Sequence, residues 1–309
     1  MQLNTATEQQ SDGGVIAATN QLSKSFAGKI ALDNIDVDIK AGQVFAILGA
    51  NGAGKTTLIN ILLGRLNADS GEASVFGMKP GSLLAKRQSG AMLQIANLPE
   101  TIKIKEHIQL FQSYYPNPMD YQQVISYAGL ADMQQRYSKN LSGGEKQRLL
   151  FALSICGNPK LLFLDEPSVG VDVAARKGLW QAIRDLAAKG TGVVLTTHYL
   201  EEADNLADEI VLLKQGKVIK RGSSDEIKAS ISHTTIRFTS DEKQQAFTEI
   251  TGVKSIQTSG KFMQLQTENV NQTLVALLST YPDLQDLTVA SAGLEEAFLQ
   301  LNSSGETNE

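Results

Sequence analysis

The run Gly49, Ala50, Asn51, Gly52, Ala53, Gly54, Lys55, Thr56 and Thr57 carries the most chemistry in this sequence. It follows the apolar stretch Val44–Leu48 and leads into Leu58, Ile59, Asn60, Ile61, Leu62 and Leu63, which read as helix. Strand, glycine-rich turn, Gly54-Lys55-Thr56 and helix, in that order, make a phosphate-binding loop. Glycines let the backbone fold so that successive N–H groups point inward around an anion. A helix opening at Lys55 adds its positive dipole end, the lysine a full charge, and Thr56 a hydroxyl suited to magnesium.

Asp165 and Glu166 close the apolar run Leu161–Leu164. Burying a carboxylate pair is costly, so stability alone explains it poorly. Beside a phosphate loop, Asp165 can hold magnesium through its water shell and Glu166 can take a proton from an attacking water. A second constellation is Leu141, Ser142, Gly143, Gly144 and Glu145. Ser142 with Glu145 three residues on is a capping box for a helix over Glu145–Cys156. Two glycines beside that serine also make a second anion-facing helix start of the same physical type. With two such starts and one lysine loop per chain, the simplest resolution is that the second faces the nucleotide of another subunit.

The elements that must position these residues alternate. Leu161–Leu164, Gly192–Thr197 and Glu209–Leu213 read as buried strands with helices between them, which argues for a largely parallel sheet covered on both faces. Between Pro99 and Asn140 the pattern turns helical, a subdomain expected over about 99–158. Lys214, Gln215, Gly216 and Lys217 look like a hairpin turn. After Gly222 the texture changes to strand Thr235–Phe238, helix Asp241–Glu249, strands Lys254–Thr258 and Phe262–Gln266 with a tip at Ser259 and Gly260, helix Val270–Leu278, strand Leu287–Ala290 and helix Leu294–Leu301. That β-α-β-β-α-β order predicts a small α+β module. The expected divisions are a tail over 1–16, a nucleotide-binding domain over 17–228, the module over 231–301 and a tail over 302–309.

At 309 residues, with 42% hydrophobic and 20% charged side chains, the chain can build a sizeable core. A net charge of −5 argues against a protein that coats nucleic acid. The single cysteine, Cys156, excludes an internal disulfide and lies in an apolar stretch, where a structural thiol is expected. No run reaches the roughly 18–20 apolar residues that cross a bilayer, and Met1–Gly14 has no signal-peptide pattern, so a cytosol-facing chain is expected. His107 and His233 have no supporting neighbours and read as surface or packing residues.

Taken together these residues resemble the ATP-binding-cassette (ABC) ATPase family over about Ala17 to Gly222. Gly49–Thr57 resembles its Walker A loop, Leu141–Glu145 its signature and Leu161–Glu166 its Walker B strand. The resemblance implies that Gln94 contacts magnesium and senses a membrane partner, and that His198, between Thr197 and Tyr199, contacts the γ-phosphate. It implies a D-loop at Asp172 and an aromatic, Phe26, stacked on adenine. Ala50 and Val173 stand where the family often has proline. The implied fold is a P-loop α/β cassette with a helical subdomain, and the implied cofactors are ATP and Mg²⁺. The implied partners are a separate transmembrane permease and a second ATPase subunit, expected as a homodimer on the cytoplasmic face of the cell membrane, with no nucleic acid. The C-terminal module is similar to the extension of type-2 exporter ATPases, whose substrates are drugs, lipids or polysaccharides. An importer ATPase, or an ABC protein acting on ribosomes or DNA, are the rival readings.

Overall fold

The computed structural model describes residues 14–93, 98–230, 234–240, 242, 244–291, 293–296 and 298. The chain divides into two compact units between Arg221 and Gly222.

In chain order the first unit runs β1 (Val15–Phe26), β2 (Lys29–Lys40), β3 (Val44–Leu48), α1 (Lys55–Leu62), β4 (Ser70–Val75), α2 (Leu83–Gln88) and β5 (Ser89–Met92). There follow α3 (Ile104–Gln112), α4 (Tyr121–Ala128), α5 (Gly143–Ile155), β6 (Leu161–Asp165), α6 (Val173–Ala188), β7 (Gly192–Thr196), α7 (Leu200–Leu206), β8 (Glu209–Lys214) and β9 (Lys217–Gly222). Strands β5-β6-β7-β3-β8-β9 form one sheet, in that order. The pairs β5–β6, β6–β7, β7–β3 and β3–β8 are parallel. Strand β9 returns as a hairpin whose turn residues, Gln215 and Gly216, have φ of 48° and 80°.

Strands β3, β6 and β7 are buried along their whole length, as a sheet covered on both faces requires. Alternation sorts their side chains. Leu162, Leu164, Val193 and Leu195 enter a core with α3–α6, while Phe45, Ile47, Leu161, Phe163 and Val194 enter a second core. That second core holds Leu58 and Ile59 of α1, but also Leu22, Leu32, Ile35, Val37 and Ile39. The expected helices between β6, β7 and β8 are present as α6 and α7, and on this face an antiparallel sheet, β2-β1-β4, adds to the cover that α1 gives. Strand β1 begins at Val15, two residues inside the expected tail, where it pairs with Lys40.

The second unit holds α8 (Ser224–Ala229), β10 (Thr234–Thr239), β11 (Val253–Ser259), β12 (Phe262–Thr267), α9 (Val270–Thr280) and β13 (Gln285–Ser291). Its sheet order is β11-β12-β10-β13, with every pair antiparallel. Where a helix over Asp241–Glu249 was expected, a single 3₁₀ turn occupies Gln244–Phe247, and residues 241 and 243 lie outside the described ones. Packing explains the short turn: the Phe247 ring is drawn against Phe238 at 5.0 Å and Tyr281 at 4.7 Å, and Gln244 donates to the Ile256 carbonyl at 3.0 Å. Of the expected helix Leu294–Leu301, residues 294–296 and 298 are described and helical. Among the described residues no helix is long and apolar enough to cross a membrane.

Candidate nucleotide site

The loop after β3 is shaped by its glycines. Gly52 and Gly54 sit at φ of 80° and 111°, where a side chain would be strained. A Cβ on Gly49 would lie 2.4 Å from the Leu213 carbonyl oxygen of neighbouring β8, and one on Gly54 2.4 Å from that of Ala31. The loop is thus pressed between two strands. The Ala53 amide closes the turn onto the Ala50 carbonyl at 3.1 Å. Lys55 opens α1 and its Nζ donates to the carbonyls of Gly49 at 2.7 Å and Ala50 at 3.2 Å, so the ammonium is encircled by the loop. Burial holds its pKa below the ordinary lysine value, against the opposite pull of Glu166 and Asp165. Asn51, Gly52 and Thr56 are exposed and Thr57 is half-buried.

Strand β7 ends beside β3, and β6 beside β7, at the carboxyl edge of the same sheet. Asp165, the last residue of β6, is buried and pairs in register with Thr196, the last of β7. The Thr196 hydroxyl donates to Asp165 Oδ1. Burial raises the Asp165 pKa and the Glu166 charge raises it further, while Thr196 and Lys55 counteract.

Glu166 departs from the strand in a left-handed conformation, φ 52°, a cost of order 1–3 kcal/mol that a rigid surrounding must hold. Its amide donates to the Thr196 carbonyl at 2.9 Å, and its Oε1 lies 3.3 Å from His198 Nδ1. His198 sits in a turn made when the Tyr199 amide donates to Thr197 Oγ1 at 2.9 Å, and its ring packs on Tyr199 at 4.2 Å. Lys55, Asp165, Glu166 and His198, separated by up to 143 positions in sequence, are thereby brought together. A carboxylate that can accept a proton, a cation and a titratable imidazole stand at one sheet edge.

Ser142 caps α5 as a capping box: the Glu145 amide donates to its Oγ at 3.3 Å, and Glu145 Oε2 accepts from the Ser142 amide at 2.7 Å. Arg136 pairs with Glu145 at 2.7 Å. The two glycines differ. A Cβ on Gly144 would lie 2.9 Å from the Gly170 carbonyl oxygen, so packing within the chain already requires that glycine. A Cβ on Gly143 would meet nothing within 4 Å. Asp172 caps α6, accepting from the Ala175 amide at 2.9 Å, and is exposed. Phe26 ends β1, is 46% exposed, and has Lys24 Nζ 5.5 Å from its ring centroid. Gln94 and His233 lie outside the described residues. His107 is a packing residue: it is buried, with Nε2 at 2.6 Å from Ser138 Oγ. The Cys156 thiol is buried and pushed up to about 12 by burial.

Sequence reasoning assigned nothing to Thr196 beyond its strand, although a hydroxyl closing an apolar run beside the Asp165 strand was a visible signal. It also passed over Trp180 and Glu202. Trp180 Nε1 donates to Glu202 Oε1 at 2.9 Å, Glu202 is fully buried, and its Oε2 has no partner. Only the fold brings these two helices together, since neither residue has a motif around it.

A glycine loop closed on a buried lysine, with a buried aspartate at the end of the next strand but one in the same sheet, defines a P-loop nucleoside triphosphatase fold and site. The family model described as ABC transporter matches residues 32–169. The daunorubicin/doxorubicin resistance ATP-binding protein DrrA of Streptomyces peucetius is 38% identical over 228 residues, covering 71% of this chain and 68% of that protein. The Nod factor export ATP-binding protein I of Rhizobium sp. (strain N33) is 31% identical over 291 residues, covering 89% and 96%. A solved ATP-binding subunit of an ABC transporter superposes with a TM-score of 0.64 at 25% identity, over 70% of this chain and 92% of that one. The chain belongs to the ABC transporter family, as an ATP-binding subunit with ATPase activity.

Proposed function

We propose that this ATPase energises export of a drug-like, lipid or polysaccharide substrate through a separate permease, from the cytoplasmic face of the membrane. The names of the relatives, one a daunorubicin/doxorubicin resistance protein and one a Nod factor export protein, support the export direction and a drug-like substrate. The lipid and polysaccharide alternatives follow from the resemblance to type-2 exporter ATPases. In this reading Lys55 and the Gly49–Thr57 amides hold the β- and γ-phosphates, and Phe26 stacks on the adenine. Magnesium, when bound, neutralises charge on the β- and γ-phosphates. Thr56, Gln94 and, through water, Asp165 would hold it. The donor set fits: one buried carboxylate, Asp165, and one exposed hydroxyl, Thr56, are hard oxygen donors, and magnesium asks for one or two carboxylates plus hydroxyl, phosphate and water. Glu166 takes the proton of the attacking water, and His198 both orients Glu166 and reaches the γ-phosphate.

The observation that carries the mechanism is the open space at Gly143. With no described residue within 4 Å of where a Cβ would stand, the exposed Ser142–Gly143 helix start is free for the nucleotide held by a second subunit's Lys55. Two chains then meet head to tail around two MgATP, with Asp172 lying at the joint. A permease would dock in the apolar groove of about 590 Å³ lined by Leu63, Leu98, Phe111, Tyr115, Leu150 and Leu153. Light scattering of the purified chain tests the dimer: MgATP should double the mass and ADP should not. A chain that stays monomeric with MgATP under conditions that block turnover would sink this arrangement.

A further inference from the structure

The first unit carries a second surface beside that groove that the nucleotide chemistry does not use. Between Glu72 and Glu100 the chain has Lys79, Lys86 and Arg87 and no carboxylate, in a protein whose net charge is −5. Helix α2 lies in the middle of this stretch. It is capped by Ser82, whose Oγ accepts from the Ala85 amide at 3.3 Å, and Ala85 is its buried residue. At about 100° per residue, Leu83, Lys86 and Arg87 fall within roughly 100° of one another on the side away from Ala85, with Leu84 flanking. Leu83 and Leu84 are 64% and 58% exposed, a large apolar pair to leave in water.

A fourth cation joins them. The turn after α1 packs on the turn before α2, so closely that a Cβ on Gly64 would lie 2.3 Å from Gly81 Cα. That contact brings Arg65 to the same side, where Arg65 and Lys86 both line the groove. Lys79, Lys86, Arg87 and Arg65 are all exposed, and none has an ion-pair partner among the described residues. Four unneutralised cations around two exposed leucines suit a partner that is anionic at its surface and apolar just beneath it.

We propose that α2 and its flanking turns bind the anionic headgroups of a lipid bilayer, with Leu83 and Leu84 dipping into the acyl boundary. Lys and Arg stems also reach along an apolar boundary while their charges stay at headgroup level. Each Lys or Arg near an anionic membrane raises partitioning about fivefold, so four make a contact that is weak alone and useful beside a docked permease. The contact would orient the cassette with its groove toward the membrane. It extends the proposed permease docking, yet needs no permease to be seen.

The test is sedimentation of the full-length chain with vesicles of phosphatidylcholine alone or with one third phosphatidylglycerol. Binding is expected to the anionic vesicles only and to fall as salt rises. The double variant Lys79→Glu/Arg87→Glu, at cations outside the groove lining, should weaken it by at least about tenfold, and Leu83→Ser/Leu84→Ser should weaken it too. Both variants should keep the wild-type ATPase rate in solution, because neither touches the nucleotide site. Equal binding to neutral vesicles, no binding to anionic ones, or binding that both variants retain overturns the proposal. If lipid binding is absent but the charge variant loses the permease from membrane preparations, the surface is a protein contact. The lipid inference then fails while the transporter reading stands.

Discussion

His198 Nδ1 lies 3.3 Å from Glu166 Oε1 because the two strands beneath them end side by side. Thr196 links those ends twice. Its hydroxyl donates to Asp165 and its carbonyl accepts the Glu166 amide at 2.9 Å. A carboxylate in a left-handed backbone is thus held by the strand that carries the histidine. Any shift of β7 against β6 would move both partners of the pair at once.

Replacing Glu166 by Gln should keep the backbone links to Thr196 and leave the site its shape while removing the proton acceptor. ATP binding is expected to persist and turnover to slow by roughly 10²–10⁴. The variant should also accumulate as a dimer with MgATP on size exclusion. Wild-type hydrolysis by this variant would show that another group takes the proton.

Much of this site was legible because its residues cluster at element junctions. The loop Gly49–Thr57, the end of β6 and the start of α5 each carry a local signature that needs no tertiary knowledge. The antiparallel sheet β2-β1-β4 was harder to read, because β1 and β2 carry many polar residues on their outer face and several register shifts. Their buried residues therefore do not stand out as apolar runs. The Asp241–Glu249 stretch misled for the opposite reason. Its polar, helix-tolerant residues follow the pull of one buried side chain, Phe247, and not their own propensity. The Gly143–Gly144 pair looked like one signal. It is two: one glycine serves packing and the other stands open.

Asp165 has a pKa raised above its unfolded value of 3.8, chiefly by burial. The folded state therefore binds this proton more tightly than the unfolded one. The associated stability is fully present below 3.8 and is lost as pH rises through the folded-state pKa. At neutral pH the ionised carboxylate weakens the nucleotide-free fold. Asp165→Asn should accordingly melt at a higher temperature than wild type at pH 7, with the gap closing toward pH 4, and lose magnesium-dependent hydrolysis. Thermal denaturation across that range decides it: a variant less stable at pH 7 would mean that the Thr196 and Lys55 contacts outweigh the burial cost.

Trp180 and Glu202 join α6 to α7, the helix that follows the His198 turn. Trp180→Phe removes the donor and leaves a fully buried carboxyl with neither oxygen bonded, which should cost about 1–3 kcal/mol. Glu202→Gln keeps an oxygen for the indole N–H and buries a neutral group, so it should cost less. Chemical denaturation of the two variants gives the ranking, and the reverse order would locate the energy in a charge contact of Glu202 that the hydrogen bond does not represent.

The two signature glycines give the sharpest separation of folding from function. In Gly144→Ala the new methyl group would press on the Gly170 carbonyl at 2.9 Å and the Val171 Cα at 3.4 Å. Backbone on both sides has little room to give, so the turn leading to Asp172 must shift and stability should fall by about 1–3 kcal/mol. In Gly143→Ala the methyl meets nothing within 4 Å among the described residues, so the melting temperature should stay within a degree or two of wild type. If a second subunit's nucleotide closes over Ser142 and Gly143, that silent methyl should still depress ATP-driven dimerisation and turnover. The loss should appear as a weaker dimer, with ATP binding to the monomer unchanged. Full activity in Gly143→Ala would mean that no γ-phosphate approaches this helix start closely, and the head-to-tail arrangement would have to be abandoned.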